Sequence, residues 1–206
     1  YPMVGGTATT HKFNLKNPLD TDAAFRLVFS GGWTHSANGA LPNGTNAFAD
    51  TKLNTRNILT ANNASFGVYI PTTHKNISGH GCWNISVTER CNLLQFTGYY
   101  SQISSGTTAA YFNTNQNGLI QCSRINATSN KLYRNGILLA TNTLNETTQY
   151  PLANFYFSWI NNSTGSTDYG SNELRFSYIS DGLTDTEASN LYINIQAFQT
   201  ALSRNV

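Results

Sequence analysis

Ten carboxylates, four histidines and three cysteines are the side chains of this 206-residue chain that can do acid–base, nucleophilic or metal chemistry. Their spacing supplies none of the arrangements that such chemistry needs. Asp20 and Asp22 lie two apart, but a Ca²⁺ site takes six or more oxygens and no EF-type loop surrounds them, so they read as solvated carboxylates of a turn. His74 and His80 share the stretch 72–81 without the two further ligands that close a zinc site, and read as surface-loop histidines. Cys82, Cys91 and Cys122 fit no metal spacing; a Cys82–Cys91 bridge and free buried thiols both remain open. No Gly-x-Ser-x-Gly elbow, phosphate loop or His-Glu-x-x-His stretch occurs. The chain is therefore assigned no catalytic residue, no metal and no cofactor.

Binding chemistry is better represented. A sugar stacks a C–H face on an aromatic ring while amides and acids take its hydroxyls. Trp33, His35 and Asn43 fall in a window, 31–50, punctuated by four glycines and a proline, which displays them on turns. Trp83, Tyr99 and Tyr100 follow with asparagines nearby. These six are the candidate carbohydrate-binding residues, with Trp159 a further ring on which a sugar could stack. The alternative for each is the ordinary one for an aromatic in a strand, a place in the core or on a sheet surface. Eight Asn-x-Ser/Thr sequons occur, but 27 asparagines and abundant Ser and Thr make that count a matter of composition.

Charged residues are only 11% of the chain, against about 25% in an average protein, so the polar surface is mainly amide and hydroxyl. A net charge of +2 with dispersed Lys and Arg forms no basic stripe, which argues against nucleic acid. No apolar run approaches the ~18 residues that span a bilayer, so no membrane insertion is expected. The opening Tyr1-Pro2-Met3 has neither the charged nor the apolar region of a secretory signal. It reads as a processed terminus or as part of a longer chain.

The elements that must position these residues are strands. Leu132-Tyr133-Arg134-Asn135-Gly136-Ile137-Leu138-Leu139-Ala140 is two apolar runs joined by Asn-Gly, a type I′ hairpin predicted to pair Arg134 with Ile137, Tyr133 with Leu138 and Leu132 with Leu139. Alternating or apolar runs at 24–29, 64–70, 82–88, 93–96, 109–112, 118–123, 154–160 and 173–179, with turn signals between them, predict an antiparallel sandwich. Leu174, Phe176 and Tyr178 are predicted to share one face. Residues 1–23 lack periodicity and read as an N-terminal arm, with the sandwich over 24–206. One helix is predicted at the end: Thr184-Asp185-Thr186-Glu187 is a capping box, and Ala188, Leu191, Tyr192, Ile195, Phe198 and Leu202 form an apolar stripe.

The Asn-Gly hairpin, two further strands and the Asp181-Gly182-Leu183-Thr184-Asp185-x-Glu187-Ala188 helix start resemble the concanavalin A-like lectin/glucanase jelly roll, laminin-G-like domains included, over roughly 20–206. Tyr1-Pro2-Met3-Val4-Gly5-Gly6-Thr7, the stretch 20–27, Gly31-Gly32-Trp33-Thr34-His35 and the ending 201–206 resemble structural proteins of tailed bacteriophages from Bacteroidetes-type hosts. The resemblance implies an all-β jelly roll with one C-terminal α-helix, in a tail, fibre or capsid-decorating subunit of a virion. It further implies other virion subunits as partners, homo-oligomerisation and contact with host surface glycan. Retaining glucanases of this fold carry Glu-x-Asp-x-x-Glu or Glu-x-Asp-x-Glu on one strand, because nucleophile and acid must stand about 5–5.5 Å apart. Neither pattern occurs here, so no enzyme activity is expected.

Overall fold

A computed structural model describes residues 1–71, 78–84, 89–95, 99–103, 109–111, 117–145, 149–162 and 169–206, with the backbone alone for Ser78, Leu94 and 99–101. His74, Glu146, Asp168 and the readings placed on 85–88, 96 and 112 lie outside the described residues. The strands are β1 (Val28–Ser30), β2 (Trp33–Ser36), β3 (Gly39–Pro42), β4 (Phe48–Asn54), β5 (Ala64–Ile70), β6 (Ser78–Asn84), β7 (Glu89–Gln95), β8 (Tyr99–Ile103), β9 (Ala109–Tyr111), β10 (Gly118–Arg124), β11 (Asn130–Arg134), β12 (Ile137–Asn142), β13 (Asn154–Phe157), β14 (Ile160–Asn162) and β15 (Phe176–Ser180). The helices are α1 (Ala8–His11), α2 (Thr55–Ile58) and α3 (Asp185–Ala201).

The molecule is an all-β sandwich. A large sheet runs β1-β4-β13-β6-β7-β8-β9, with β14 pairing β6 in parallel, and a small sheet runs β12-β11-β10-β5-β15. The core between them includes Phe66, Val68, Ile120, Cys122 and Leu132 of the small sheet and Ala49, Phe155, Phe157, Cys82, Cys91, Leu93 and Ile103 of the large one. These residues alternate along their strands with residues that face outward, as the two-residue strand period requires. Cys82 and Cys91 are register partners, yet all three cysteines are free and buried.

The outer face of the small sheet is closed by α3. Tyr69 and Leu119 meet Ile195, with Phe176, Tyr178, Leu191 and Tyr192 around them, and Gln121 Nε2 donates to the Ala188 carbonyl (3.3 Å). The capping box forms: the Glu187 N–H donates to Thr184 Oγ1 (3.3 Å) and the Thr184 N–H to Glu187 Oε2 (2.8 Å). Thr184→Ala is expected to cost about 1 kcal/mol, a fall in Tm of about 2–4 °C that thermal unfolding followed by circular dichroism will read. The stripe is shorter than its spacing predicts. Leu202 is 41% exposed while Gln199 is buried, because Gln199 turns its amide to the Arg175 carbonyl and to Arg204.

The hairpin turn is type I′, with Asn135 at φ 52° and Gly136 at φ 73°. Gly136 is also pressed under α3, where a Cβ would lie 3.0 Å from Ser189 Cα. The register slips one residue beyond the turn: Arg134 pairs with Ile137 and Tyr133 with Leu138, but Leu132 pairs with Ala140. A bulge at Leu139 absorbs the extra residue.

Tertiary contacts override the local pattern in four further places. Asp22–Ala24 forms a 3₁₀ turn ending on Phe25 at φ 56°, so strand structure starts only at Val28. Ser158, at φ 66°, splits the predicted 154–160 run into β13 and β14, and its N–H donates to Nδ1 of His80 (3.1 Å). His80 is thereby a buried residue of β6, not a surface-loop histidine. Leu174 lies in the core between the sheets, whereas Phe176 and Tyr178 face α3. The stretch 1–23 is docked: the Ser177 N–H donates to the Tyr1 carbonyl (3.0 Å), and Met3 and His11 have no exposed surface.

Candidate functional site

The outer face of the large sheet carries no described helix, and the register assembles one polar row across it. Asp50 pairs with Tyr156, Tyr156 with Gly81, Gly81 with Asn92 and Asn92 with Gln102, crossing β4, β13, β6, β7 and β8 in a line. All five positions alternate with core residues, so they share the outward face. At the centre Gly81 holds φ 137°, and a Cβ there would stand 2.0 Å from the Cys91 carbonyl oxygen. The row therefore has glycine at its middle because β7 leaves no room there for a side chain. Asn92 beside it is fully buried, and neither its Oδ1 nor its Nδ2 has a hydrogen-bond partner. Such an amide is costly until something polar reaches it.

On the β4 side of Gly81 stands an aromatic stack. Phe48 and Tyr156 lie 4.8 Å apart at 19°, Tyr156 and Trp159 5.7 Å apart at 28°, and Trp159 and Tyr169 5.2 Å apart at 11°. All four rings are half-buried, presenting π-surface without sinking into the core. Asp50 is fixed beside them by Lys52 (3.0 Å) and by Asn154 Nδ2 (3.1 Å). Burial, and then the Asp50 charge, raise the Tyr156 phenol above its ordinary pKa, so it stays a neutral donor.

Two residues along from Gly81, Trp83 pairs with Arg90 across β6 and β7, with the guanidinium carbon 4.3 Å from the indole centroid. Trp83, Asn84, Asn161 and Asn162 line a depression of ≈ 270 Å³ with Pro151, Leu152 and Ala153. Asn161 is held by donating to the Asn154 carbonyl (3.0 Å). A ring, three amides and a neighbouring cation at the end of an aromatic face can bind a polyhydroxylated ligand; no nucleophile and base are paired there. Among the described residues no three His, Cys, Asp or Glu side chains gather to hold a metal ion.

The six predicted site residues separate. Trp83 joins this face. Tyr99 and Tyr100 lie on β8 of the same sheet, and their side chains lie outside the described structure. Trp33 is on β2, its indole N–H donating to the Ser30 (2.9 Å) and Phe48 (3.3 Å) carbonyls and its ring edge-on to Phe29. Asn43 organises its own turn through the Thr45 and Asn46 N–H groups. Sequence reasoning left Arg90, Asn161, Asn162 and the Phe48–Tyr156–Tyr169 stack unassigned. The alternation of 154–157 signals Tyr156, but no local pattern marks the others.

His35 belongs to a different arrangement. The Gly6 N–H donates to His11 Nε2 (3.2 Å), so the His11 proton sits on Nδ1 and is given to His35 Nδ1 (2.9 Å). Burial, then His35 and Arg204, hold His11 at about 4, below the ordinary 6.5. Between those values the unfolded chain binds the proton and the folded one does not. The His11 contribution to stability is therefore intact above pH 6.5 and falls as the pH drops toward 4. The expected loss is about 2–3 kcal/mol, measurable as a shift in urea midpoint between pH 7 and pH 4. An NMR titration placing His11 at its ordinary value contradicts the pairing.

A second cavity, ≈ 370 Å³, lies elsewhere, lined by Tyr1, Leu15, Phe25, Leu53, Ile58, Leu59, Ile179 and neighbours. Leu15 is 65% and Ile58 49% exposed at its rim. It lacks the combination of stacked rings and amides found on the large sheet.

No family model matches the chain, and no curated protein sequence matches it. Solved structures do. Trypanosoma rangeli sialidase in complex with a difluoro-KDN matches at 14% identity and TM-score 0.57, over 82% of this chain and 29% of that one. The receptor binding domain of botulinum neurotoxin mosaic serotype C/D matches at 16% identity and TM-score 0.56, over 89% and 49%. The botulinum neurotoxin serotype D binding domain matches at 11% and 0.51, over 84% and 48%. The chain thus spans under a third of the sialidase and about half of each toxin chain. At these identities the likeness is one of fold, an all-β sandwich of the kind found in these proteins.

Proposed function

We propose that the chain is a non-enzymatic glycan-binding module that contacts surface carbohydrate through the outer face of its large sheet. One observation carries this: half-buried aromatic rings and an amide-lined depression share the sheet face that has no described helix over it, while the other sheet is sealed by α3. Its neighbours in fold include a toxin's receptor binding domain. The non-enzymatic reading is supported by the carboxylates, most of which are already occupied. Asp20 and Asp22 face Lys12 and Arg26, Asp50 faces Lys52, Glu89 faces Arg56, Glu173 faces Arg175, and Asp185 faces Lys131. Glu187 caps α3.

A glycan array probed with the full chain and with Trp159→Ala and Tyr156→Ala tests the proposal. Signal from the parent chain that drops at least about tenfold in both variants is expected, since each removes a stacking ring. A silent array for the parent chain overturns it.

A second reading is a structural subunit of a bacteriophage virion, oligomeric and seated among other virion proteins in an extracellular particle. The apolar groove with Leu15 and Ile58 at its rim favours this, because exposed aliphatic surface beside a cavity suits contact between proteins. Native mass spectrometry finding a lone monomer at every concentration counts against it.

A further inference from the structure

Neutral sugar hydroxyls need no cation, yet a partly buried one stands beside the amide-lined depression. Arg90 is half-buried against Trp83 and forms no ion pair or hydrogen bond among the described residues. Partial burial lowers its pKa, and no neighbouring carboxylate among the described residues offsets that shift. The adjacent carboxylate does not serve it: Glu89 is held by Arg56 Nη2 and by Asn84 Nδ2 (3.4 Å). Two buried atoms in this corner, Arg90 Nε and Trp83 Nε1, have no partner. Both are donors and neither can accept.

What the corner lacks is an acceptor with negative charge. Hydroxyl groups alone supply the first without the second, and a partly buried cation with no counter-charge gains more from a ligand that brings one. A carboxylate supplies both. It is planar, accepts along two oxygens and suits a guanidinium beside an indole N–H.

We infer that the Trp83–Arg90 corner is an anion subsite, and that the ligand of the large-sheet face is a saccharide bearing a carboxylate, a sugar acid. This rests on the glycan-binding reading proposed above. The carboxylate meets Arg90, and the amides of Asn84, Asn161 and Asn162 take the ring hydroxyls in the depression.

The test is calorimetric titration of the full chain with matched pairs: trigalacturonate against trigalactose, and sialyllactose against lactose. At least one acidic member should bind about tenfold tighter than its neutral partner. That advantage should shrink as salt is raised from about 50 mM to about 0.5 M. Arg90→Gln should bring the acidic ligand to within about twofold of the neutral one, with Arg90→Lys intermediate because it keeps charge and loses the planar fork. If Arg90→Gln does not fold, Arg90→Lys and the salt dependence of the parent chain decide. Equal binding of both members of each pair overturns the inference and leaves the glycan reading standing. Galactose 6-sulfate binding as tightly as the sugar acids overturns the carboxylate assignment. A chain that binds neither class, on the array or in the calorimeter, overturns both proposals.

Discussion

Arg204→Met should lower stability by about 3–5 kcal/mol, a fall in Tm of about 6–20 °C, with cooperative unfolding retained. Arg204 is 3% exposed, and its guanidinium is solvated by the chain itself. Nη1 donates to the carbonyls of Met3 (2.7 Å), Ala37 (3.3 Å) and Asn38 (3.2 Å). Nη2 donates to Pro2 (3.1 Å) and Arg175 (3.2 Å), and Nε to Gln199 Oε1 (3.1 Å). One cation thus gathers the residues before α1, the β2–β3 turn, the approach to β15 and the end of α3. Methionine preserves much of the volume and removes every donor, so several buried carbonyls lose their partner together. The loss should be visible in thermal and urea unfolding alike. A change below about 1 kcal/mol shows that water replaces the guanidinium at no cost.

Gly81→Val should be of similar size and should also abolish ligand binding. Gly81 combines a left-handed φ of 137° with a Cβ position 2.0 Å from the Cys91 carbonyl oxygen and 2.6 Å from Asn92 Cα. A branched side chain suffers strain of about 1–3 kcal/mol from the backbone alone. Relieving the overlap forces β6 away from β7. That movement breaks the Tyr156–Gly81–Asn92 row and parts Trp83 from Arg90 on the same strand pair. Circular dichroism at rising temperature reads the first effect and calorimetry below the new midpoint reads the second. A Gly81→Val chain that melts as the parent does shows that β6 can shift freely.

That Gly81 is not legible in the sequence while the hairpin and the helix start are has a physical basis. Asn135-Gly136 announces itself because a two-residue turn with both φ positive is a local requirement, and the Thr184–Glu187 box because its partners are three residues apart. Gly81 is one of 16 glycines. Nothing within a few residues of it tells that Tyr156, Ile160 and Asn92 converge on it. Trp33, in a glycine-punctuated window, and Trp83, in the alternating run 82–88, are equal candidates from the sequence. One spends its N–H on the Ser30 and Phe48 carbonyls, and the other keeps an unpartnered N–H beside an arginine.

By itself, the chain's order of residues determined the antiparallel class, the hairpin and the sealing helix, since alternation, turn chemistry and capping act between near neighbours. The docking of residues 1–23, the bulge at Leu139, the His11–His35 pair and the row from Asp50 to Gln102 were decided only by tertiary structure. Each depends on which strand lies beside which, and strand order is set by burial summed over the whole sandwich, a quantity that no short window contains.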